Sequence, residues 1–309
     1  MGEDEQQGVM RMQGGDFIDM HAVCVRELMA PVGGRHGIYD VERQLALYDR
    51  IGVAKGVIMP VANAECTPTG QANEEVLRIV AAHPDRFAAF CNLDPRNCYN
   101  SPTTKFGEVL DQYKAQGCRG VGAVCAKLAI TDLRVQNLFR CCEAAAMPIA
   151  IRLDGMEEFG CGLYDPPSLQ GLREALMRFP KLTFLVTGSA FWCEISVPKL
   201  RDERLGMVRS SGPVKEGLLA TLLRRYPNLV CDLSGIWGED ALMRDPAYAA
   251  KFLTEFSDRV VFGLGARSPE DADLPPLPKF LRGLRDSGAI ATDVFERVAA
   301  GNAKRIAGV

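Results

Sequence analysis

A histidine closes an apolar strand near the start of the chain, in the stretch Phe17-Ile18-Asp19-Met20-His21-Ala22-Val23-Cys24. Histidine is the side chain whose charge changes near neutral pH, so we predict that His21 is a general acid or base or donates a hydrogen bond to a substrate. The alternative is a histidine packed among core residues. His36, in a Gly-rich loop, is a candidate substrate-binding residue, whereas His83 precedes Pro84 at a helix end and is expected to be structural.

An arginine, Arg152, lies at the end of another apolar strand, Ile149-Ala150-Ile151-Arg152-Leu153. A guanidinium in a pocket can bind a carboxylate or enolate oxygen through two parallel hydrogen bonds. We predict Arg152 and Asp232 as catalytic residues together with His21, and Asp154 as a substrate-binding residue. The alternative for Arg152 is an internal ion pair with Asp154 or Asp232.

Eleven cysteines are scattered along the chain without a CxxC pair, which argues against a disulfide framework or a zinc ribbon. We expect most of them to be reduced core residues. Cys24 and Cys125 lie near strand ends, and we favour inert thiols there over a nucleophile or a soft-metal site shared with His21. Trp192 is predicted to stack on an aromatic or apolar ligand, with a packing role as the alternative.

The elements that position these residues alternate between apolar strands and amphipathic helices. The predicted strands start near Phe17 and then cover 56–60, 87–93, 120–125, 148–153, 182–187, 229–233 and 260–264. The predicted helices cover 41–51, 73–83, 105–116, 133–146, 168–179, 215–226, 246–256, 276–287 and 292–299. Eight continuous apolar strands, each followed by helical sequence, predict a closed (β/α)8 barrel with its active site at the carboxyl ends of the strands.

The composition narrows the class of function. The formal net charge of -3, from 36 basic and 39 acidic residues, gives no field that would attract nucleic acid or an anionic membrane. We predict a polar leader at 1–15, a single barrel domain at 16–309, a cytoplasmic location and a small-molecule substrate. The long irregular segment 191–214 is expected to shape the pocket or a subunit contact, which would fit a homo-oligomer or a complex with a paralogue.

Several motifs together resemble the amidohydrolase superfamily, in the branch of aminocarboxymuconate semialdehyde decarboxylase and the aromatic-acid decarboxylases. They are Asp19-Met20-His21, Pro84-Asp85-Arg86-Phe87, Asn92-Leu93-Asp94-Pro95, Ala190-Phe191-Trp192-Cys193-Glu194-Ile195-Ser196, Tyr226-Pro227-Asn228-Leu229, Asp232-Leu233-Ser234, Phe262-Gly263 and Gly301-Asn302-Ala303-Lys304-Arg305. The resemblance covers nearly the whole chain and implies a TIM-like barrel of the amidohydrolase type.

The resemblance also implies a divalent metal, usually zinc or manganese, and this chain departs from its ligand set. The family's ligands are two histidines on strand one, often a glutamate on strand four, a histidine on strand five and an aspartate on strand eight, and a further histidine after strand six serves as acid or base. His21 is kept, and the other positions hold Val23, Ala123, Arg152, Thr187 and Gly265. Three of these side chains donate nothing to a metal and Arg152 would repel one, so we predict that the metal site is absent and that no cofactor replaces it.

Three functions remain open at this point. The first is a metal-independent lyase, cyclase or isomerase that acts on a small carboxylated or aromatic molecule through Arg152 and His21, with Thr187 among the substrate-binding residues. The second is a pseudoenzyme that binds an active paralogue. The third is a metal-dependent hydrolase or decarboxylase with a displaced site that uses Cys24, Asp154 or Asp232.

Overall fold

The longest described strand, Phe17–Val25, has a mainly apolar sequence. It is buried along its whole length, as expected of a strand that is covered on both faces. The computed structural model describes residues 15–63, 70–157, 160–197, 200–205 and 208–309. The predicted leader at 1–15 therefore lies, except for Gly15, outside the described residues. The prediction of one barrel domain at 16–309 stays a prediction.

The strands follow the predicted order. They are β1 (Phe17–Val25), β2 (Tyr39–Asp40), β3 (Val53–Ile58), β4 (Phe87–Ala89), β5 (Val121–Val124), β6 (Ile149–Asp154), β7 (Leu163–Tyr164), β8 (Phe184–Thr187), β9 (Leu229–Asp232), β10 (Val260–Val261) and β11 (Gly265–Ala266). The strand predicted at 260–264 is thus seen as the two short strands β10 and β11.

Helices separate the strands, and those at predicted positions begin and end within a few residues of the predicted bounds. The helices are α1 (Val41–Ile51), α2 (Asn73–Ala82), α3 (Phe106–Ala115), α4 (Leu133–Ala144), α5 (Gln170–Arg178), α6 (Ser189–Cys193), α7 (Arg201–Arg204), α8 (Leu218–Arg225), α9 (Gly235–Met243), α10 (Pro246–Glu255), α11 (Leu277–Asp286), α12 (Thr292–Glu296) and α13 (Asn302–Ala307), with a π-helical turn at Arg297–Gly301. The helices at 189–193, 201–204, 235–243 and 302–307 were not predicted. No helix in the described part of the chain is long and apolar enough to cross a membrane.

The strands form two parallel sheets that join into a ring. One sheet has the order β11-β1-β3-β4 with β2 beside β1, and the other has the order β10-β9-β8-β6-β5 with β7 beside β6. At one seam Cys91 forms a parallel bridge with Val121, and at the other the Met20 N–H donates to the carbonyl of Phe262 at 2.9 Å. These contacts give the predicted (β/α)8 barrel.

The core has two layers. Alternate residues of the strands, including Ile18, Met20, Val57 and Leu185, form one buried cluster inside the ring, against which Ala303 of α13 also packs. The larger cluster lies between the strands and the helices. The ring is therefore filled with side chains, and the open space for a ligand is at its carboxyl end.

The predicted irregular segment 191–214 is partly helical, which corrects that expectation. It begins inside α6 and contains α7. Its described residues do not line the cavity at the barrel mouth, so they do not shape that pocket as expected. The helix α9, directly after β9, was not predicted.

Gly188 joins β8 to α6 and permits the close approach of two strand ends. Its φ of 109° is in the left-handed region, and a Cβ there would overlap the Leu153 carbonyl and lie 2.7 Å from the Leu153 nitrogen. A side chain would therefore meet immovable backbone.

We expect Gly188→Ala to lower the free energy of unfolding by about 3 kcal/mol or more, because it adds backbone strain to a clash. Gly283→Ala is the matched control, since a Cβ at this helical position in α11 meets no atom within 4 Å. The control should gain about 0.5–1 kcal/mol from helix propensity. Urea unfolding measures both, and equal effects of the two substitutions would contradict the expectation.

Candidate functional site at the barrel mouth

A cavity of about 650 Å³ opens at the carboxyl ends of the strands. Its walls are largely apolar and include Met29, Ile38, Met59, Trp237 and Leu264. Polar side chains enter it from several strand ends and loops. A pocket with apolar walls and a few convergent polar groups is the usual form of a small-molecule site.

His21 is held at this cavity by a carboxylate from the opposite end of the sequence. Its Nδ1 lies 2.6 Å from Oδ2 of Asp232, at the end of β9. The Ser234 hydroxyl donates to the same Oδ2 at 2.9 Å and lies 3.0 Å from His21 Nδ1. Asp232 also accepts the Ser234 N–H, so it is a fully hydrogen-bonded carboxylate that fixes the imidazole.

The charge balance around His21 favours its protonated form. Burial lowers the pKa of His21, but the charge and hydrogen bond of Asp232 and the charge of Asp19 outweigh it, so that the pKa is raised. The positive charge of Arg152 is near enough to oppose this rise. With Nδ1 bound to the carboxylate, Nε2 is the nitrogen left for proton exchange.

Asp19 supports the site without lining the cavity. Its Oδ1 accepts the N–H groups of His21 and Leu264, each at 3.0 Å, and its Oδ2 accepts the Tyr48 hydroxyl at 2.7 Å. Burial raises the pKa of Asp19 to about 6, against the lowering effect of these hydrogen bonds. Asp19 therefore has a structural role, because it ties β1 to the connection between β10 and β11.

Arg152 lines the cavity and is anchored from behind by Asp154. Its Nε lies 3.2 and 3.3 Å from the two carboxylate oxygens of Asp154. Asp154 is 3 % exposed and also accepts from the Gly162 N–H and the Ser189 hydroxyl. The internal ion pair therefore exists, yet in the described part of the structure the two terminal NH2 groups of Arg152 make no protein hydrogen bond, and its side chain is 36 % exposed.

The other predicted site residues divide between the cavity wall and its support. Thr187 lines the cavity and donates to the Ser234 carbonyl at 3.1 Å, and His36 lines it from the loop after β1. Trp192 is 1 % exposed and donates from Nε1 to the Asp232 carbonyl at 3.0 Å. The structure places Trp192, like Asp154 and Asp232, behind the described wall rather than in it.

Several residues of the wall were not predicted. Trp237 of α9 supplies the aromatic surface that was expected from Trp192, and Arg35, Arg267 and Asp271 enter from the loops after β1 and β11. Ser234 was visible only as part of the Asp232-Leu233-Ser234 motif. A polar residue two positions after a strand-end aspartate was the one signal that could have indicated its role.

Most of the described cysteines are buried, as predicted, whereas Cys98 is exposed and Cys161 is partly exposed. Cys24 and Cys231 are fully buried, and burial raises the pKa of each thiol far above its usual range. Cys125 and Cys161 line the cavity. None of the described residues forms a group of three or more His, Cys, Asp or Glu that could hold a metal ion.

The positions where the resemblance implies metal ligands converge on one place. Val23, Ala123, Arg152 and Gly265 line the cavity with His21, and so does Thr187, at the position of the implied acid–base histidine. Aliphatic side chains and glycine offer no donor, and a guanidinium repels a cation. The described residues at these positions therefore do not fit a divalent ion.

Comparison with known proteins supports the architecture. No family model and no curated protein matches the chain. Among solved structures, an uncharacterised TIM-barrel protein from Bordetella bronchiseptica covers 95 % of this chain and 99 % of its own, with a TM-score of 0.59 at 16 % identity. This likeness defines the class of fold, a TIM barrel.

Two decarboxylases have the same fold. A 5-carboxyvanillate decarboxylase from Novosphingobium aromaticivorans, complexed with manganese and a nitrobenzoic acid, covers 100 % of both chains with a TM-score of 0.61 at 14 % identity. A 2,6-dihydroxybenzoate decarboxylase from Rhizobium covers 96 % of this chain and 99 % of its own, with a TM-score of 0.55 at 15 % identity. The predicted TIM-like barrel is confirmed, and these decarboxylases share it.

Replacing Asp232 tests the origin of the raised His21 pKa. Asp232→Asn removes the larger of the two charges that raise the pKa of His21 and leaves that of Asp19, so burial should dominate and the pKa should fall below 6.5. The imidazole of the wild type stays protonated above that pH. Because the chain has three histidines, an NMR titration can follow each of them, with His21→Gln as the assignment control. An unchanged His21 pKa in Asp232→Asn would contradict this account of the site.

Proposed function

We propose that this protein binds a small aromatic or apolar carboxylate at the barrel mouth and acts on it as a metal-independent lyase, cyclase or isomerase. The proposal rests on one observation: Arg152 and His21 line the same cavity. The residues at the positions where the resemblance implies metal ligands line it too. Arg152 binds and polarises the carboxylate or an enolate oxygen. His21 exchanges the proton.

The anchoring of Arg152 supports its role in binding. An arginine whose Nε is already fixed by Asp154 loses little side-chain freedom when its terminal NH2 groups bind a ligand. The described cavity walls hold three arginines, the others being Arg35 and Arg267, against one carboxylate, Asp271. The carboxylates of Asp154 and Asp232 lie behind the wall, so the charged groups that face the cavity are mainly cationic.

The apolar walls support an aromatic or apolar body for the ligand. Trp237 and Met59 lie in the same cavity as Arg152, and aromatic faces suit planar ligands. Two of the fold neighbours named above are decarboxylases of aromatic carboxylates, which agrees with this substrate class. The reaction at C–C or C–H bonds would then use His21 as its acid, since the contact with Asp232 raises the pKa of the imidazole and favours the imidazolium.

The residues at the positions where the family binds its metal support a mechanism without one. A family enzyme would place a cation there to stabilise negative charge, and Arg152 provides a fixed cation at one of those same positions. Its charge cannot be removed by a chelator or by deprotonation.

The binding role of Arg152 can be tested with 4-hydroxybenzoate as the probe. Arg152→Met keeps most of the side-chain volume and removes the charge, so we expect the affinity to fall about 10–100-fold through loss of a charge-assisted bidentate contact. Isothermal titration calorimetry measures the affinity. Arg78→Met on the exposed face of α2 is the matched control and should bind like the wild type. Equal affinities of Arg152→Met and the wild type would refute the proposed contact.

The proposed metal-independent mechanism gives a separate prediction about the metal content of the protein. Protein purified without chelator should contain far less than one divalent ion per chain by elemental analysis. Added zinc or manganese should leave the melting temperature unchanged, because ligand binding to the folded state would raise it. A stoichiometric ion would instead favour the alternative of a displaced site at Cys24, Asp154 or Asp232, which the described structure does not bring into a metal-binding group.

A second candidate function follows from the same replaced positions. A protein that has lost catalytic ligands can serve as a binding partner of an active paralogue, and an oligomer contact would accommodate that role. The two functions differ in turnover. A pseudoenzyme would bind the carboxylate but convert no member of a panel of aromatic and keto acids. It would also form a stable complex with the paralogue.

A further inference from the structure

A second imidazole faces the same cavity and is also held by a carboxylate. His36 lies in the loop between β1 and β2, and its Nδ1 is 2.7 Å from Oε1 of Glu270. Its backbone N–H donates to Oε2 of the same carboxylate at 3.0 Å. The side chain is 28 % exposed, against 11 % for His21, so His36 is the outer of the two histidines.

Glu270 is fixed on its other side. The Ser268 hydroxyl lies within hydrogen-bond distance of both Glu270 Oε2 and the His36 carbonyl. The hydrogen bond from His36, followed by that from Ser268, holds the pKa of Glu270 at about 2. The carboxylate is therefore ionised and orients the ring through Nδ1. The other ring nitrogen of His36, Nε2, does not bind this carboxylate.

The loop that carries Glu270 is braced against the loop that carries His36 by a second contact. Arg35 Nη2 donates to Asp271 Oδ1 at 2.8 Å, and Arg267 lies 3.8 Å from the other oxygen of Asp271. His36 is thus positioned by two independent contacts between the loops after β1 and β11.

Two carboxylate-bound imidazoles in one cavity can move two protons during one reaction. One neutral imidazole takes a proton from a carbon while the other, as imidazolium, gives a proton to an oxygen or to a leaving group. In a keto-to-enol shift the C–H electron pair forms the new C=C bond, the carbonyl oxygen gains the proton, and no net proton is consumed. Arg152 can stabilise the carboxylate and the enolate charge while this happens.

We propose that His36, oriented by Glu270, is a second proton-transfer residue that acts with His21 on the molecule bound in this cavity, so that the reaction is a proton relocation such as an isomerisation or an elimination. This inference rests on the proposed function, because it needs a carboxylate bound at Arg152.

Phenylpyruvate is a suitable probe because it combines an aromatic ring, a carboxylate and an exchangeable C3 hydrogen. Wild-type protein should accelerate the exchange of that hydrogen with D2O above the buffer rate, as followed by proton NMR. His36→Gln keeps a hydrogen-bonding side chain opposite Glu270 and should slow the exchange about 100-fold, while the dissociation constant changes less than about twofold. His83→Gln, at the helix end outside the described cavity wall, is the matched control and should exchange at the wild-type rate.

The outcomes separate the two proposals. Exchange by His36→Gln at the wild-type rate, or no exchange by wild-type protein that does bind phenylpyruvate, overturns the role of His36 and leaves the carboxylate site standing. A parallel loss of affinity and rate in His36→Gln would indicate a purely structural role and also overturns it. Failure of wild-type protein to bind phenylpyruvate overturns both proposals, and failure of Arg152→Met to weaken that binding overturns the proposed function.

Discussion

A carboxylate buried at the end of a barrel strand must have its oxygens hydrogen-bonded, and the rest of the candidate site depends on how Asp232 meets this requirement. It is 1 % exposed and takes hydrogen bonds from the Ser234 N–H and hydroxyl, with His21 Nδ1 as its third partner. Trp192 binds the backbone carbonyl of the same residue. The carboxylate of Asp232 therefore sets the direction of the imidazole and positions a hydroxyl, and the backbone carbonyl of the same residue holds the helix that follows β8.

The second organising constraint is electrostatic. Positive charge at a barrel mouth can come from a metal ion or from a guanidinium, and the two differ in what they demand of the protein. A metal needs several convergent donors, whereas Arg152 needs one counter-charge behind it, which Asp154 supplies. In the proposed function Arg152 takes the place of the metal. Val23, Ala123 and Gly265, which line the same cavity, are small or apolar and leave room for a ligand.

The sequence was sufficient to predict the barrel and much of the cavity wall. Alternation of apolar strands and amphipathic helices located α1 to the residue, and strand ends placed His21, Arg152 and Thr187 at the mouth. The sequence pattern could not show which tryptophan faces the cavity. Both Trp192 and Trp237 follow strands, and only the turn into each helix sets the direction of the side chain. Nor could pattern show that Glu270 meets His36, since the two are brought together by loops rather than by periodic elements.

The pairing of β1 with the last strands has a consequence for synthesis of the chain. His21 leaves the ribosome early, whereas its partner Asp232 follows 211 residues later and Glu270 is 234 residues beyond His36. Contacts of such long sequence separation form late in folding. Until the carboxyl-terminal quarter is made, β1 is an open edge with an unpartnered imidazole. The nascent chain must therefore keep β1 from pairing with other strands. Pairing of β1 with the last strands closes the barrel, and it also brings together both histidine–carboxylate pairs.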